Sequence, residues 1–290
     1  MDTRFLRSLV AVVETGSIAA AARKENLTAA AISQRIQALE RIFSCELLIR
    51  GAHSTAPSEH CLALLPKMRT LIRMTAELHD ALAGDSLTGD LRVGAISTAL
   101  TGILPRVMEQ LSIAAPALRL RITPGDSRSL YEQIVNGELD GAILVQPPFA
   151  LPKTLRCDVV RAEPLLLLSE QPVKKTDIKS VIVNRPLIGY DSNSWGGQIA
   201  MRYLAEHALN PEILCELDSL EAISILVKKG MGVSLVPSWV GLDLEHIHVT
   251  LVSEGTRYLR RIVLLTGLPP RRPLALDAFR SLLPVTPTEH

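Results

Sequence analysis

The sequence predicts an α/β protein in which three short helices and one long helix precede a two-lobed domain of alternating strands and helices. The first 80 residues or so show helical periods, whereas short apolar strands alternate with helices from Leu91 onward. The chain has 290 residues, of which 47% are hydrophobic and 21% charged, a length and composition that suit two or three globular domains.

Three helical patterns lie near the N-terminus. The first stops near Gly16, the second is the alanine-rich run Ile18–Glu25 behind a capping serine, and the third runs from Ala29 to about Phe43 behind a capping threonine. Two helices joined by a tight turn are the layout of a helix-turn-helix, which inserts the start of its second helix into the major groove of DNA.

The outward face of the third helix carries small and polar residues that suit base edges. Gln pairs with adenine, Arg with guanine, and Ser bonds to either, while alanines allow close approach. These outward residues are Ala30, Ser33, Gln34 and Gln37. The same pattern also fits an alanine-rich hairpin with an ordinary solvated face, so the residues alone leave both interpretations open.

A long helix is predicted from Ser58 to about Ala83. Apolar residues recur at alternating spacings of three and four, which favours pairing with another helix. Pro66 removes one backbone hydrogen bond and predicts a bend or an irregular first turn. The small, polar stretch from Gly84 to Asp90 predicts a hinge.

The remainder predicts two similar lobes, each a doubly wound parallel sheet. Strand Leu91–Ile96, helix Thr101–Ala114, helix Ser127–Asn136 and strand Asp140–Val145 form the first unit, and residues 163–265 repeat the alternation. A cleft between two such lobes binds small ligands. Crossovers near residues 161–164 and 265–269 are predicted hinges.

Charge and cysteines exclude little by themselves. The net charge is +1, and residues 1–80 hold ten Lys and Arg against eight Asp and Glu, so one N-terminal helical domain, called the head below, is expected to bind DNA weakly by itself.

The cysteines, which lack CxxC spacing, are Cys45, Cys61, Cys157 and Cys215. We expect reduced thiols, with a redox-sensing pair of Cys157 and Cys215 as the alternative.

The stretch Phe5–Arg50 resembles the N-terminal domain of LysR-type transcriptional regulators. The matching motifs are Gly16-Ser17, Ala21-Ala22, Thr28, Ala31-Ile32-Ser33, Leu39-Glu40 and Leu47-Leu48-Ile49-Arg50. The likeness extends along the whole chain. Departures are Ala29, where the family often has Gln, Ser44 in place of the usual Gly, and the run Ala56–His60 in the wing.

The resemblance implies a winged helix-turn-helix over residues 1–57, a linker helix and hinge over 58–89, and a two-lobed, periplasmic-binding-protein-like effector domain over 90–290. Lobe I would comprise 90–161 plus 268–290, and lobe II 162–267. It also implies a homodimer or homotetramer, joined through the linker helix, on double-stranded promoter DNA. The implied DNA contacts are Thr28, Ala30, Ser33, Gln34, Arg35 and Gln37, with Arg50 and His53 in the wing.

An effector site is expected in the cleft, with a small organic acid as its ligand. Helices that begin with hydroxyl residues offer free N–H groups to a carboxylate, although plain N-capping also explains the serines. Trp195 fits either packing between the lobes or a pocket wall. The expected effector residues are Ser97, Thr98, Ala99, Ser127, Gln146, Asn193, Ser194, Trp195, Ser219 and Pro237.

No catalytic signature is present. The sequence has no GxSxG, HExxH or Walker loop, and we expect no enzyme activity, no metal site and no cofactor. A cytoplasmic protein without membrane contact is expected, because no apolar run reaches signal-peptide or membrane-helix length. The rival interpretation is a small-molecule-binding module without a DNA function, and an enzyme built on the same lobes is a more distant one.

Overall fold

The computed structural model describes residues 2–50, 55–82 and 87–284, which fall into two compact units, Met1–Asp85 and Ser86–His290. The first unit begins with three helices whose ends are set by local chemistry. Ser17 and Thr28 cap the second and third helices with side-chain hydrogen bonds to backbone N–H groups. Gly16 ends the first helix with a positive φ of 67°, a left-handed conformation that glycine adopts without strain. The elements are α1 (Thr3–Thr15), α2 (Ile18–Glu25), α3 (Ala29–Phe43), β1 (Leu48–Arg50), β2 (Thr55–Pro57) and α4 (Glu59–Leu82).

The core of the first unit is apolar and lies between α1, α3 and the start of α4. Leu9, Ile32 and Leu39 are fully buried there. Strands β1 and β2 pair in antiparallel fashion and form the wing, and α4 continues through Pro66. The predicted winged helix-turn-helix and long helix are thereby confirmed.

The second unit contains two lobes. Lobe I, as the structure has it, is built from β3 (Gly89–Ala95), α5 (Ser97–Gly102), α6 (Leu104–Ala114), β4 (Leu118–Pro124), α7 (Ser127–Val135), β5 (Gly141–Val145) and α11 (Pro273–Ser281). Lobe II is built from α8 (Ile178–Asn184), β7 (Leu187–Tyr190), α9 (Gly197–Glu206), β8 (Ile213–Leu217), α10 (Leu220–Lys228), β9 (Ser234–Pro237) and β10 (His248–Leu251), with a 3₁₀ turn at Lys175–Asp177. Each lobe has its own buried apolar core.

Two long strands, β6 (Leu155–Ser169) and β11 (Leu259–Gly267), belong to both lobes. They pair with each other in antiparallel fashion, and β11 also pairs with β5 of lobe I while β6 pairs with β9 and β10 of lobe II. The pairing register shifts between Ile262 and Val263. The sheet is therefore mixed: the predicted parallel arrangement holds for β3, β4 and β5 in lobe I and for β7 and β8 in lobe II, while β5, β9 and β10 pair in antiparallel fashion with the crossing strands.

Two local predictions were wrong. The first predicted crossover, residues 161–164, lies within β6 just before the strand pairs with β9 of lobe II, whereas the second, residues 265–269, falls where β11 is still paired with lobe I, since residues 265–267 pair with 155–157 and residues 262–266 with β5. The second crossover is therefore several residues earlier than expected. The predicted helix Thr101–Ala114 is two helices, because Pro105 starts a new one at α6.

Candidate functional sites

The start of α3 presents an exposed polar surface. Thr28, Ala30, Gln34 and Gln37 are exposed and Ser33 is half-buried, while the opposite face of the helix is packed into the core. The Thr28 hydroxyl accepts a hydrogen bond of 3.1 Å from the Ala31 N–H group, which fixes the first turn. In the wing, Arg50 ends β1, and His53 lies outside the described residues.

A polar network joins the three helices of the head. The fully buried Ser8 donates to Glu25 Oε2 at 2.6 Å and accepts from Arg35 Nη1 at 3.0 Å, and Arg35 also lies over the Phe5 ring. The Arg35 guanidinium is thus directed at α1 and α2. Arg35, one of the implied DNA contacts, therefore also supports α3 from within the head.

A cavity of about 600 Å³ lies between the two lobes of the second unit. Its walls come from the carboxyl ends of parallel strands, β3 and β4 in lobe I and β7 and β8 in lobe II, which is where open α/β sheets bind ligands. Six of the predicted effector residues line it, namely Ser97, Thr98, Ser127, Asn193, Ser194 and Trp195.

The other four predicted effector residues are not among those that line the cavity. Ala99 is buried in the lobe I core, and Pro237 ends a strand paired with β6. Gln146 follows β5, and its N–H donates to the Arg261 carbonyl. The Ser219 hydroxyl caps α10 by accepting from the Ala222 N–H group. Each of these residues is used by the fold itself.

Arg260 is a buried charged residue in the cavity wall that was not predicted from the sequence. Its side chain is 1% exposed, and Nε and Nη2 lie 2.7 and 2.6 Å from Glu163 Oε2. Nη2 also donates to Thr98 Oγ1 at 3.3 Å. Burial raises the pKa of the Glu163 carboxyl, and the adjacent Arg260 charge opposes that rise. The ion pair with Glu163 thus holds the Arg260 guanidinium, which extends from β11, in place at the cavity wall.

Three carboxylates also line the cavity and were missed. Asp126 caps α7 through the N–H groups of Arg128 and Ser129, and Asp191 accepts from Asn193. Burial and the charges of Asp191 and Asp126 raise the pKa of Asp218. Each of the three lies within two residues of a predicted effector residue. The rule that ligands bind beyond the carboxyl ends of strands could therefore have found them from the sequence.

Trp195 performs both of the roles left open for it. Its ring lies 6.1 Å from the Tyr131 centroid and 5.7 Å from the Phe149 centroid, both in edge-to-face geometry. It is buried in the lobe I core cluster although it follows β7 of lobe II. It also lines the cavity, so the same ring packs against lobe I and borders the cavity.

The redox alternative for the cysteines has little support. Cys157 packs against the lobe I core and Cys215 against a lobe II core. Burial raises the pKa of the Cys157 thiol to about 11, which disfavours the reactive thiolate. All four cysteines are free thiols.

A head with an exposed recognition helix, followed by two lobes around a ligand-sized cavity, defines a ligand-responsive transcriptional regulator. The chain belongs to the LysR family: residues 3–62 match the bacterial regulatory helix-turn-helix protein, lysR family, and residues 84–284 match the LysR substrate binding domain. It is a LysR-type DNA-binding transcriptional regulator with an effector-binding domain.

Curated relatives of similar length are transcriptional regulators rather than enzymes. The HTH-type transcriptional regulator YofA of Bacillus velezensis is 29% identical over 241 residues, 82% of this chain and 81% of that protein. BenM of Acinetobacter baylyi, also an HTH-type transcriptional regulator, is 27% identical over 257 residues, again 82% and 81% of the two chains.

Solved structures share the whole fold. Full-length CbnR in complex with its target DNA matches with a TM-score of 0.70 at 21% identity, covering 98% of this chain and 99% of that one. A full-length OxyR variant of Pseudomonas aeruginosa matches with a TM-score of 0.70 at 19% identity, covering 98% and 94%. No helix in the described part of the chain combines the length and the hydrophobicity that a membrane span requires.

Proposed function

We propose that the chain binds promoter DNA through the exposed face of α3 and that a small organic acid in the cavity between the lobes controls this binding. The proposal of an acid effector depends on the buried Arg260 guanidinium at the cavity wall, which donates to the Thr98 hydroxyl. A guanidinium in a sheltered site is the preferred partner of a carboxylate.

The DNA half rests on the exposure of the residues that suit base edges. Ser33, Gln34 and Gln37 are proposed to contact bases, and Thr28 and Ala30 to lie against the backbone or thymine methyl groups. Because these residues lie on an exposed helix of a helix-turn-helix, we favour this proposal over the rival interpretation, a small-molecule-binding module without a DNA function.

A second copy of the chain is proposed to pair along α4. Leu62, Leu71 and Met74 are exposed apolar residues on that helix, and their burial against a partner helix would stabilise a dimer, or a tetramer of two such dimers. Two or more heads on one DNA raise the affinity through effective concentration, which compensates for the weakly basic head.

Control by the effector is proposed to act through the lobes. An acid that binds the closed lobes more tightly than the open ones shifts their equilibrium, and the change in spacing between heads alters how the promoter is bent. The two crossing strands, β6 and β11, are the elements about which such a movement takes place.

The DNA proposal is tested with the double variant Ser33→Ala, Gln34→Ala. Fragments selected from random-sequence DNA by the wild-type protein give a footprint, and the double variant is expected to lose it while its helical circular dichroism signal stays. The control Gln171→Ala changes an exposed glutamine in lobe II and keeps the footprint. An unchanged footprint for the double variant rejects α3 as the reading helix.

The effector proposal is tested by thermal shift with small mono- and dicarboxylates and amino acids. A ligand at about 100 times its dissociation constant adds about 2.7 kcal/mol to the stability of the protein that binds it. The variant Arg128→Gln, at the cavity, is expected to reduce the shift, and Arg106→Gln, an exposed arginine on α6 outside the cavity, is the matched control. The absence of a shift with every acid overturns the proposal.

A further inference from the structure

We infer that the acid in this cavity also carries a positively charged amino group, so that the effector is an amino acid or a related zwitterion rather than a plain carboxylate. This inference rests on the proposed function of the cavity and narrows its ligand class. It follows from the charge of the whole cavity lining, which is negative on one side and positive at the base.

The negative side is set by strand geometry. Tyr190 and Leu217 are register partners at the ends of the parallel strands β7 and β8, and the Asp191 N–H group donates to the Leu217 carbonyl at 2.9 Å. Asp191 and Asp218, the next residues along each strand, therefore leave the sheet at the same edge. Asp126 faces them from lobe I, at the start of α7.

The positive side is weaker than a count of arginines indicates. Arg128 and Arg260 are the two cations among the described residues that line the cavity, and the charge of Arg260 is partly offset by Glu163, which also pairs with Arg161. At the rim, Glu221 accepts a hydrogen bond of 3.1 Å from the Ser97 hydroxyl, which brings a further carboxylate close to the site. A plain dicarboxylate entering this cavity meets the repulsion of three carboxylates, Asp126, Asp191 and Asp218, as well as the attraction of the two arginines.

Asp218 is the carboxylate that an amino group would meet. Asp126 and Asp191 each accept hydrogen bonds from neighbouring groups on one oxygen, Oδ1, whereas the side chain of the exposed Asp218 makes no hydrogen bond to another described residue. Its charge is opposed by Asp191 and Asp126, and a ligand ammonium group relieves that repulsion. A carboxylate of the same ligand then lies toward Arg260 and Thr98.

Part of the cavity lining is apolar. Ile96, Leu100, Val145 and Leu220 belong to it, which suits a short aliphatic carbon chain. A molecule that carries a carboxylate, an ammonium group and a few carbons matches this combination of basic, acidic and apolar residues. The cavity volume of about 600 Å³ accommodates a ligand of that size.

The test compares matched ligands on the full chain by isothermal titration and thermal shift. The probes are the twenty standard amino acids, 4-aminobutanoate and 5-aminopentanoate, each beside the carboxylic acid that lacks the amine and the amine that lacks the carboxylate. We expect at least one amino acid to bind at least tenfold more tightly than both of its truncated partners. Asp218→Asn is expected to lower that affinity at least tenfold, and Asp177→Asn, exposed at the start of α8 and outside the cavity, to leave it unchanged.

The other outcomes overturn either this inference alone or this inference together with the proposed acid effector. Plain carboxylates that bind as tightly as their amino acids, with no effect of Asp218→Asn, overturn this inference and leave the acid effector standing. Amines that bind as tightly as the amino acids overturn both the inference and the acid effector. Binding by no probe of any class also overturns both. The shift of each variant is measured against its own unliganded midpoint, so a change in intrinsic stability does not enter the comparison.

Discussion

Arg260 and Glu163 face each other as register partners on the two strands that connect the lobes, with Arg260 Nη2 2.6 Å from Glu163 Oε2. Both side chains are nearly inaccessible, at 1% and 2% exposure. Burying two charges has a desolvation cost that offsets much of their attraction, so such a pair adds little net stability. Its main effect is to favour one arrangement of the two strands over others. Here the pair fixes the register of β6 against β11 and places the guanidinium at the ligand cavity.

Loss of the Glu163 charge is expected to destabilise the effector domain strongly. Glu163→Gln keeps the size of the side chain but leaves the Arg260 guanidinium buried without a counterion, and breaking a buried pair in this way costs about 3–5 kcal/mol. Chemical denaturation of the full chain measures the change. The control Glu254→Gln breaks the exposed contact with Lys175 and is expected to have no measurable effect. Equal midpoints for the two variants contradict the structural role of the Arg260 pair.

Gly102 marks a close contact between the lobes. A Cβ atom at this position, at the end of α5, would lie 2.7 Å from the Val240 Cβ and closer still to the Val240 carbonyl oxygen in lobe II. Gly102→Ala therefore forces the lobes apart at this point, at a cost of about 1–3 kcal/mol. Hydrogen–deuterium exchange is expected to rise in α5 and around Val240. Gly267→Ala is the control, since a Cβ there meets no atom within 4 Å.

The polar network of the head is expected to be needed for its stability. Ser8→Ala removes the hydroxyl that bridges Glu25 and Arg35 and leaves two polar groups in a partly buried site, which costs about 1–3 kcal/mol. The first transition in a urea titration, followed by far-ultraviolet circular dichroism, is expected to move to lower urea. Ser112→Ala, the same substitution on the exposed face of α6, is expected to leave that transition in place. A transition that Ser8→Ala leaves unmoved argues against the network as a support of α3.

The head could be predicted closely because its signals are local. Capping residues, the 3.6 period and the sequence turn between α2 and α3 lie within a few residues of the elements they define, and the predicted range of α3 agrees with the structure. The contacts of Arg35 within the head could not be predicted, because the sequence pattern shows only that this position is polar. The direction of the Arg35 side chain is set by Ser8 and Glu25, which lie on other helices.

The effector cavity could be predicted only in part. The serines and Trp195 that follow strands were found, since strand ends are visible in the sequence. Arg260 was missed because its partner Glu163 is 97 residues away and no short motif joins them. Only the second part of β6, Leu165–Ser169, could be predicted from its apolar run. Arg161 and Glu163 interrupt the apolar pattern before it, and the first part of the strand becomes evident only through its pairing with β11.

Asp218 is expected to link stability to pH with a sign opposite to that of a salt-bridged carboxylate. Burial and the negative charges of Asp191 and Asp126 raise its pKa, against the opposing charge of Arg260. A carboxyl group with a raised pKa in the folded state favours folding at pH values below its unfolded pKa of about 4, and that contribution is lost as the pH rises through the folded pKa. Ionised Asp218 therefore opposes folding at neutral pH.

Asp218→Asn is accordingly expected to raise the melting temperature of the unliganded protein at pH 7 to 8, and the gain over the wild type is expected to shrink as the pH falls toward 4. Differential scanning calorimetry at several pH values measures the difference. Asp177→Asn removes a carboxylate outside the cavity, so a gain of the same size in that variant would show that the effect does not come from the cavity. Asp218→Asn is thus expected to stabilise the unliganded protein and to weaken the binding of an amine. Such opposite effects on stability and on binding are those of a residue that serves the ligand at a cost in stability.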